Sequence, residues 1–386
     1  MGSTVNVDAE LFRGAPPLRL ERALRLVQPD QQRIVKRATL AALVAWVPLA
    51  ALAALQEASF FFSDFTVYAR YLVALPALIL AEADCIPRLG RIATHFAETG
   101  LIAEPDTARF QAAVSSTRRL LDSTASEVIV LALAYLAVLA VVLYLSPDAL
   151  PVWHRREATG VTRLSPAGWW HVLVSAPLLL IFLFGWLWRL ALWARFLFLM
   201  SRLNLQLIPG HPDRVGGLKF VGSSLRGFRL ISLALGAILA GAVANGQIHH
   251  GRPLVDYKGQ VIGLLAVLLV LFAGPLTIFM RKLRQTKRHG VFEYGALARA
   301  VGRQFESKWL RQTASLDQSS LEAPDFSATT DLYSITANVY AMRAVPFSLK
   351  DLMGPIVVTA LVPLVPVALV SVPFKVIIQG LAKLLL

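Results

Sequence analysis

The chain has 386 residues, of which 56% are hydrophobic and 16% charged, with a formal net charge of +14 and one cysteine, Cys85. A soluble chain carries about a quarter charged residues, whereas here the apolar excess is gathered into blocks near the roughly 17–25 residues that cross a bilayer. This excludes an ordinary soluble protein, an intrachain disulfide and a thiolate metal cluster. No basic run is interleaved with base-stacking aromatics, so the positive charge points to loops retained on the inner face of a membrane and not to nucleic acid.

Residues 1–37 carry seven basic side chains among Leu11, Phe12, Leu18, Leu20, Leu24, Leu26 and Val27. They lack the central apolar run of a secretory signal and fit amphipathic helices, lying either on the anionic inner leaflet or on other loops. A first span is expected from Ala38 to Leu55, and a weaker one from Val67 to Ile86, opened by Arg70 and closed by Glu82 and Asp84. Residues 87–126 are polar with an amphipathic pattern, and Val128 to Leu145 is an uncharged third span. After a turn-rich loop (146–170), the fourth span (171–200) carries Arg189 and Arg195 among Trp186, Trp188 and Trp193.

Residues 201–229 hold the loop Pro209-Gly210-His211-Pro212-Asp213-Arg214-Val215-Gly216-Gly217, followed by Lys219. Spans five and six fall at about Leu230–Ile248, rich in small residues, and Val261–Met280. Residues 281–350 are expected to hold an amphipathic helix over Val291–Leu310, a loop over 312–330 and a helix over Asp331–Met342 capped by Thr330 or Asp331. The block 355–374 contains four prolines and fits a kinked seventh span or a re-entrant hairpin, with the span favoured; 375–386 is an interfacial tail. The expected fold is thus all-α and polytopic, with about seven spans. Placing the N-terminus in the cytoplasm puts 30 of the 38 lysines and arginines on the inner side, the direction of the positive-inside rule.

Ionisable residues at membrane depth are functional candidates, because each charge there costs about 2.5–3.5 kcal/mol or more. Topology brings Glu82 and Asp84 to the same level as Arg189 and Arg195. They read either as a gate at the cytoplasmic mouth of a pathway or as a structural ion pair with snorkelling arginines. In the HPDRVGG loop, Asp213 can cap a turn, His211 can titrate near neutrality, and Gly216 and Gly217 beside Arg214 and Lys219 can offer amides to an anion such as a lipid phosphate. The plain alternative is a structured elbow. His154, His171, His249 and His250 fall on the outer side without metal-ligand spacing, so no metal or cofactor is expected.

The WWH, VSAPL, WLWR and HPDRVGGL segments between Trp169 and Leu218 resemble bacterial inner-membrane proteins of undetermined activity. The resemblance implies localisation and carries no reaction. Nucleophile-elbow, zinc-protease and Rossmann patterns are absent, which weighs against an enzyme. Two functions lead, a channel or transporter with a charged inner mouth and a scaffold or sensor binding a cytoplasmic partner through 281–350, and a membrane enzyme acting on lipid trails them. The partners expected are the bilayer and its anionic lipids, that cytoplasmic protein, and a second copy of the chain.

Overall fold

The long helices carry internal prolines, and at Pro48 and Pro177 neighbouring helices answer the carbonyls they free. The computed structural model describes residues 11–14, 16–17, 34–55, 58–144, 151–158, 161–310 and 324–371. Helices α1 (Ile34–Ala54), α2 (Ala58–Phe62), α3 (65–98, with a π-helical turn at Ala69–Ala74), α4 (Thr107–Leu121) and α5 (Thr124–Tyr144) come first. A hairpin of β1 (Arg155–Ala158) and β2 (Val161–Leu164) leads to α6 (Pro166–Ser201, with a π turn at His171–Ser175) and α7 (Arg229–His250). Then follow α8 (Lys258–Ala273), a 3-10 segment Gly274–Phe279, α9 (Met280–Trp309), α10 (Pro324–Tyr340), α11 (Leu349–Leu361) and α12 (Leu364–Ser371).

Pro48 has no N–H for the carbonyl of Val44, and the Trp170 indole donates to that oxygen at 3.3 Å instead. Pro177 likewise removes the donor for Leu173, whose carbonyl accepts the Tyr135 hydroxyl at 3.1 Å. Such replacement donors are what make proline tolerable inside a membrane helix. Small residues bring the axes close. A Cβ on Gly236 of α7 would sit 2.0 Å from the Ala360 carbonyl of α11, and one on Gly241 2.6 Å from the Ala69 side chain of α3.

Among the described residues, five helices are long and apolar enough to cross a membrane: α1, α5, α6, α7 and the continuous run Leu254–Trp309. Counting α11 and α12, bent by 49°, as one span gives six. The bend falls at Pro363, between the two helices. The second expected span behaves differently. It belongs to the 34-residue α3, about 51 Å long at 1.5 Å per residue, and its polarity is too high to pass as an apolar span. The reason is its position. Tyr71, Leu75, Leu78, Ile79, Cys85, Leu89 and Phe96 are all buried in protein, so α3 has no need of an apolar outer face. α5 and α8 are the converse, exposing Leu136, Leu139, Ile262 and Val270 as lipid-facing helices do.

The connections gather at two opposite ends. At one, Trp153 and Asn245 both donate to Asp64, and His249 bonds the Ser63 carbonyl. At the other, Ile102 pairs with Leu205, the Asn204 amide donates to Asp106, and Lys282 donates to the Leu203 carbonyl. α3 runs from the first end to the second.

Several expectations are corrected. Residues 87–98 continue α3 through Pro87 and do not start a separate segment. The sixth apolar block and the amphipathic helix after it are one run, Leu254–Trp309. α10 already begins at Pro324, inside the stretch expected to be a loop, because the polar run there carries no helix breaker after Pro324. Leu11 and Phe12 do not lie on a leaflet: both are buried, with Phe12 edge-on to Trp193 and Phe196. The hairpin is the one sheet among the described residues. Residues 1–10, 15 and 18–33 of the amphipathic N-terminal segment and the tail 375–386 lie outside the described residues.

Candidate functional site

Glu82 sits on the face of α3 turned toward α1 and α6. Arg37 reaches its Oε2 at 3.1 Å and Arg189 its Oε1 at 3.5 Å, with the three side chains 8, 3 and 2% exposed. The Arg189 guanidinium also lies over the Trp186 ring, 4.5 Å from its centroid, and that indole donates to the Leu78 carbonyl. Among the described residues, two cations surround this one anion, and all three side chains of the triad are buried. Asp84, two residues on, points away from it. It takes Arg88 at 2.9 Å and Arg229 at 3.1 Å, partly open to solvent.

The sequence thus brings Glu82 and Arg189 together, but its other pairings differ. Arg195 meets no acid among the described residues and donates to Ser116 Oγ at 3.1 Å. Arg70 is far from this group, half-buried in the π turn at the opposite end of α3. Arg37 and Arg229 are the partners sequence reasoning missed. Arg37 was grouped with a basic N-terminal segment, when its place in the first turn of α1 put it on the helix that enters the core.

The HPDRVGG loop is built around Asp213. Its Oδ1 accepts the amides of Val215 (2.8 Å) and Gly217 (3.1 Å), and its Oδ2 accepts that of Lys219 (3.1 Å). His211 Nδ1 lies 2.8 Å from Oδ1 and 3.2 Å from the Asp213 amide, so a protonated Nδ1 donates to the carboxylate while a bare one accepts the amide. Burial alone would raise the carboxyl pKa, but the three amides and His211 outweigh it and hold Asp213 below the usual carboxylate range. Arg214, Gly216 and Gly217 all take positive φ (59°, 67° and 96°), which wraps the backbone around the carboxylate. The amide of Gly217, read as facing an outside anion, therefore faces the loop's own anion. The Arg214 and Lys219 side chains point outward.

This elbow is clamped to the helices that follow. A Cβ on Gly290 of α9 would lie 2.4 Å from the Pro209 ring, and one on Gly210 2.6 Å from Ile335 of α10. The Arg343 amide donates to the Arg214 carbonyl at 2.7 Å, its guanidinium reaches the Asp213 carbonyl at 3.4 Å, and Lys287 donates to the Met342 carbonyl at 2.8 Å. A cavity of about 580 Å³ opens beside the loop, lined by His95, Thr99, Gln206, His211, Asp213 and Phe220 among others.

A second buried polar group lies at the opposite end, where the two π turns meet. Tyr71 of the first bonds His171 of the second at 2.7 Å. The His154 ring packs 4.6 Å from that of His171 and 3.9 Å from that of Trp153. Both nitrogens of His154 are buried without a hydrogen-bond partner among the described residues, and burial pushes its pKa down to about 4. His249 and His250 stand apart from this pair, and no group of three metal-ligating side chains occurs among the described residues. No protein-family model matches the chain, and no curated protein or solved structure is similar to it.

Proposed function

We propose that this protein is a polytopic inner-membrane scaffold, with its N-terminus in the cytoplasm, that holds the α9–α10 hairpin at the cytoplasmic face for a protein partner. The observation that carries the proposal is the union of the hairpin with the HPDRVGG elbow through Gly290, Gly210, Lys287 and Arg343. Such a joint fixes the hairpin's direction relative to the bundle. Phe305 and Trp309 of α9 pack on Phe326 of α10, while Phe292 and Leu297 remain exposed, and large exposed apolar groups outside the membrane mark an interaction surface. In this reading α3 is a further, protein-sheathed crossing, and the bundle has about seven spans in all.

The buried triad supports a scaffold over a transporter. A gate needs its charges at a wet cavity, and Arg37, Glu82 and Arg189 are packed against one another in the core. The test has two arms. Reconstituted protein should carry no ion or common solute above the empty-liposome rate across pH 5–8. Photo-crosslinkers at Phe292 and Leu297 in cells should capture one discrete protein that a crosslinker at lipid-facing Val270 does not. Saturable flux through the protein, abolished by Glu82→Gln, would overturn the proposal and restore the transport reading.

A further inference from the structure

The inner ends of α4 and α6 leave a cavity of about 550 Å³ between them. Its walls follow helical spacing on both sides: Arg109, Ala113 and Ser116 on α4, and Arg195, Leu199 and Arg202 at the end of α6. The small side chains of α4 open the space and the leucine of α6 gives it an apolar floor. Arg109 is answered by Asp106 at 3.1 Å. Arg195 has a hydroxyl, Ser116 Oγ, and Arg202 lies over the Phe198 ring, 4.8 Å from its centroid. Neither has a carboxylate partner among the described residues, so within them the groove presents two guanidinium groups that no acid answers.

Their depth is set by the helix. From Trp170 to Arg195 is 25 residues, about 37 Å at 1.5 Å per residue, against a hydrocarbon thickness of about 30 Å. With Trp170 at one interface, Arg195 stands at the phosphate level of the other; Arg202, about 48 Å from Trp170, lies two turns further out and reaches the same headgroup only through its side chain. A guanidinium matches a phosphate with paired N–H donors, and an apolar floor beneath such donors suits the glycerol and upper acyl carbons of the same molecule.

We infer that this groove binds one anionic phospholipid of the inner leaflet, its phosphate between Arg195 and Arg202 and its acyl chain over Leu199 and Ala113. The site is separate from the HPDRVGG loop, whose Gly217 amide is engaged by Asp213, and it stands whether or not the scaffold reading holds.

The test is native mass spectrometry of the full-length protein offered equal phosphatidylglycerol and phosphatidylcholine. Each cation near an anionic headgroup contributes about fivefold, so wild type should retain phosphatidylglycerol about thirtyfold better. Arg202→Gln, at an exposed position, should lower that preference about fivefold, and Arg195→Gln/Arg202→Gln should abolish it. Arg118→Gln/Arg119→Gln, on the exposed side of α4, should leave it intact. Elution volume and protection of the Cys85 thiol report folding, and Arg202→Gln decides the matter if the double variant does not fold. Equal retention of the two lipids by wild type, or an unchanged preference in the folded Arg202 variant, would overturn the inference. So would displacement of phosphatidylglycerol by inorganic phosphate at matched ionic strength, since that marks a site for a free anion.

Discussion

Replacing Glu82 by Gln removes the anion that answers two buried guanidinium groups while keeping nearly the same shape. Arg37 and Arg189 are 3 and 2% exposed as side chains, so neither reaches water without opening the packing of α1, α3 and α6. Breaking a buried pair by deleting one partner costs about 3–5 kcal/mol. At about 2 °C per kcal/mol for a large domain, the unfolding midpoint should fall by roughly 6–10 °C. The molecule carries its own reporter: Cys85 is the sole cysteine, one turn from Glu82 on α3, and fully buried. A maleimide dye that fluoresces on reacting with the thiol therefore follows the opening of this very contact during a thermal ramp. The triple variant Arg37→Met/Glu82→Met/Arg189→Met removes all three charges, and apolar replacement of a whole buried ion group is neutral or stabilising by about 1–4 kcal/mol. Its midpoint should return to the wild-type value or exceed it. A single Glu82→Gln variant as stable as wild type, or a triple variant no better than the single one, would refute the view that the triad is a buried structural unit.

Three further outcomes follow from the geometry. The native pKa of His154 is about 4 against an ordinary 6.5, so below pH 6.5 the unfolded chain binds the extra proton. Stability should be fully present above 6.5 and fall on acidification toward 4, by up to roughly 3 kcal/mol; the nearby Asp64 eases protonation and Arg70 opposes it. His154→Leu should flatten this slope in thermal melts between pH 7 and 4.5, and an unchanged slope would place the acid sensitivity elsewhere. Asp213→Asn removes the charge and one acceptor oxygen from a knot of three amides, at about 1–3 kcal/mol; amide exchange should quicken in 207–219 and in 340–347 together, and a response confined to the loop would show that the clamp does not transmit. Gly236→Val places branched carbon where the Ala360 carbonyl already stands, and should expose α11 and α12 to limited proteolysis while leaving α1–α6 protected.

The legibility of this fold tracked what each helix faces. α1, α5, α6, α7 and α8 announce themselves because lipid accepts only apolar side chains, and their blocks are read directly from composition. α3 is faint for another reason: its apolar residues pack largely against protein, so it can carry Glu82 buried, Asp84 and Arg88 half-buried and Arg91 exposed, and its full length is hidden behind a short apolar centre. The acid–arginine meeting was visible in part, since topology sets the depth of Glu82 and Arg189. Which arginine completes the group depends on rotation about α1, and hydropathy does not encode that. In the HPDRVGG loop, the sequence announces a structured elbow, amides at Gly216 and Gly217 and a capping carboxylate at Asp213. That amide and carboxylate serve each other was hidden, because loop spacing allows the amides to face inward or outward equally well. The His154–His171 contact was out of reach, as it joins a loop to a π turn that no local pattern announces.

The run Leu254–Trp309 has mechanical consequences. Its 56 residues extend about 84 Å, far more than the bilayer's roughly 30 Å. Gly290 is pinned between Pro209 and Val339 and acts as a fulcrum on this beam. The arm from Gly290 to Trp309 is about 28 Å, so a tilt of about 10°, well within the range of membrane helices, sweeps its tip through about 5 Å. Any rotation of the run about Gly290 therefore moves the far end of α9 sideways by an amount set by that arm. The 3-10 segment Gly274–Phe279 interrupts the arm between α8 and Gly290 and sets how stiffly that arm transmits a tilt.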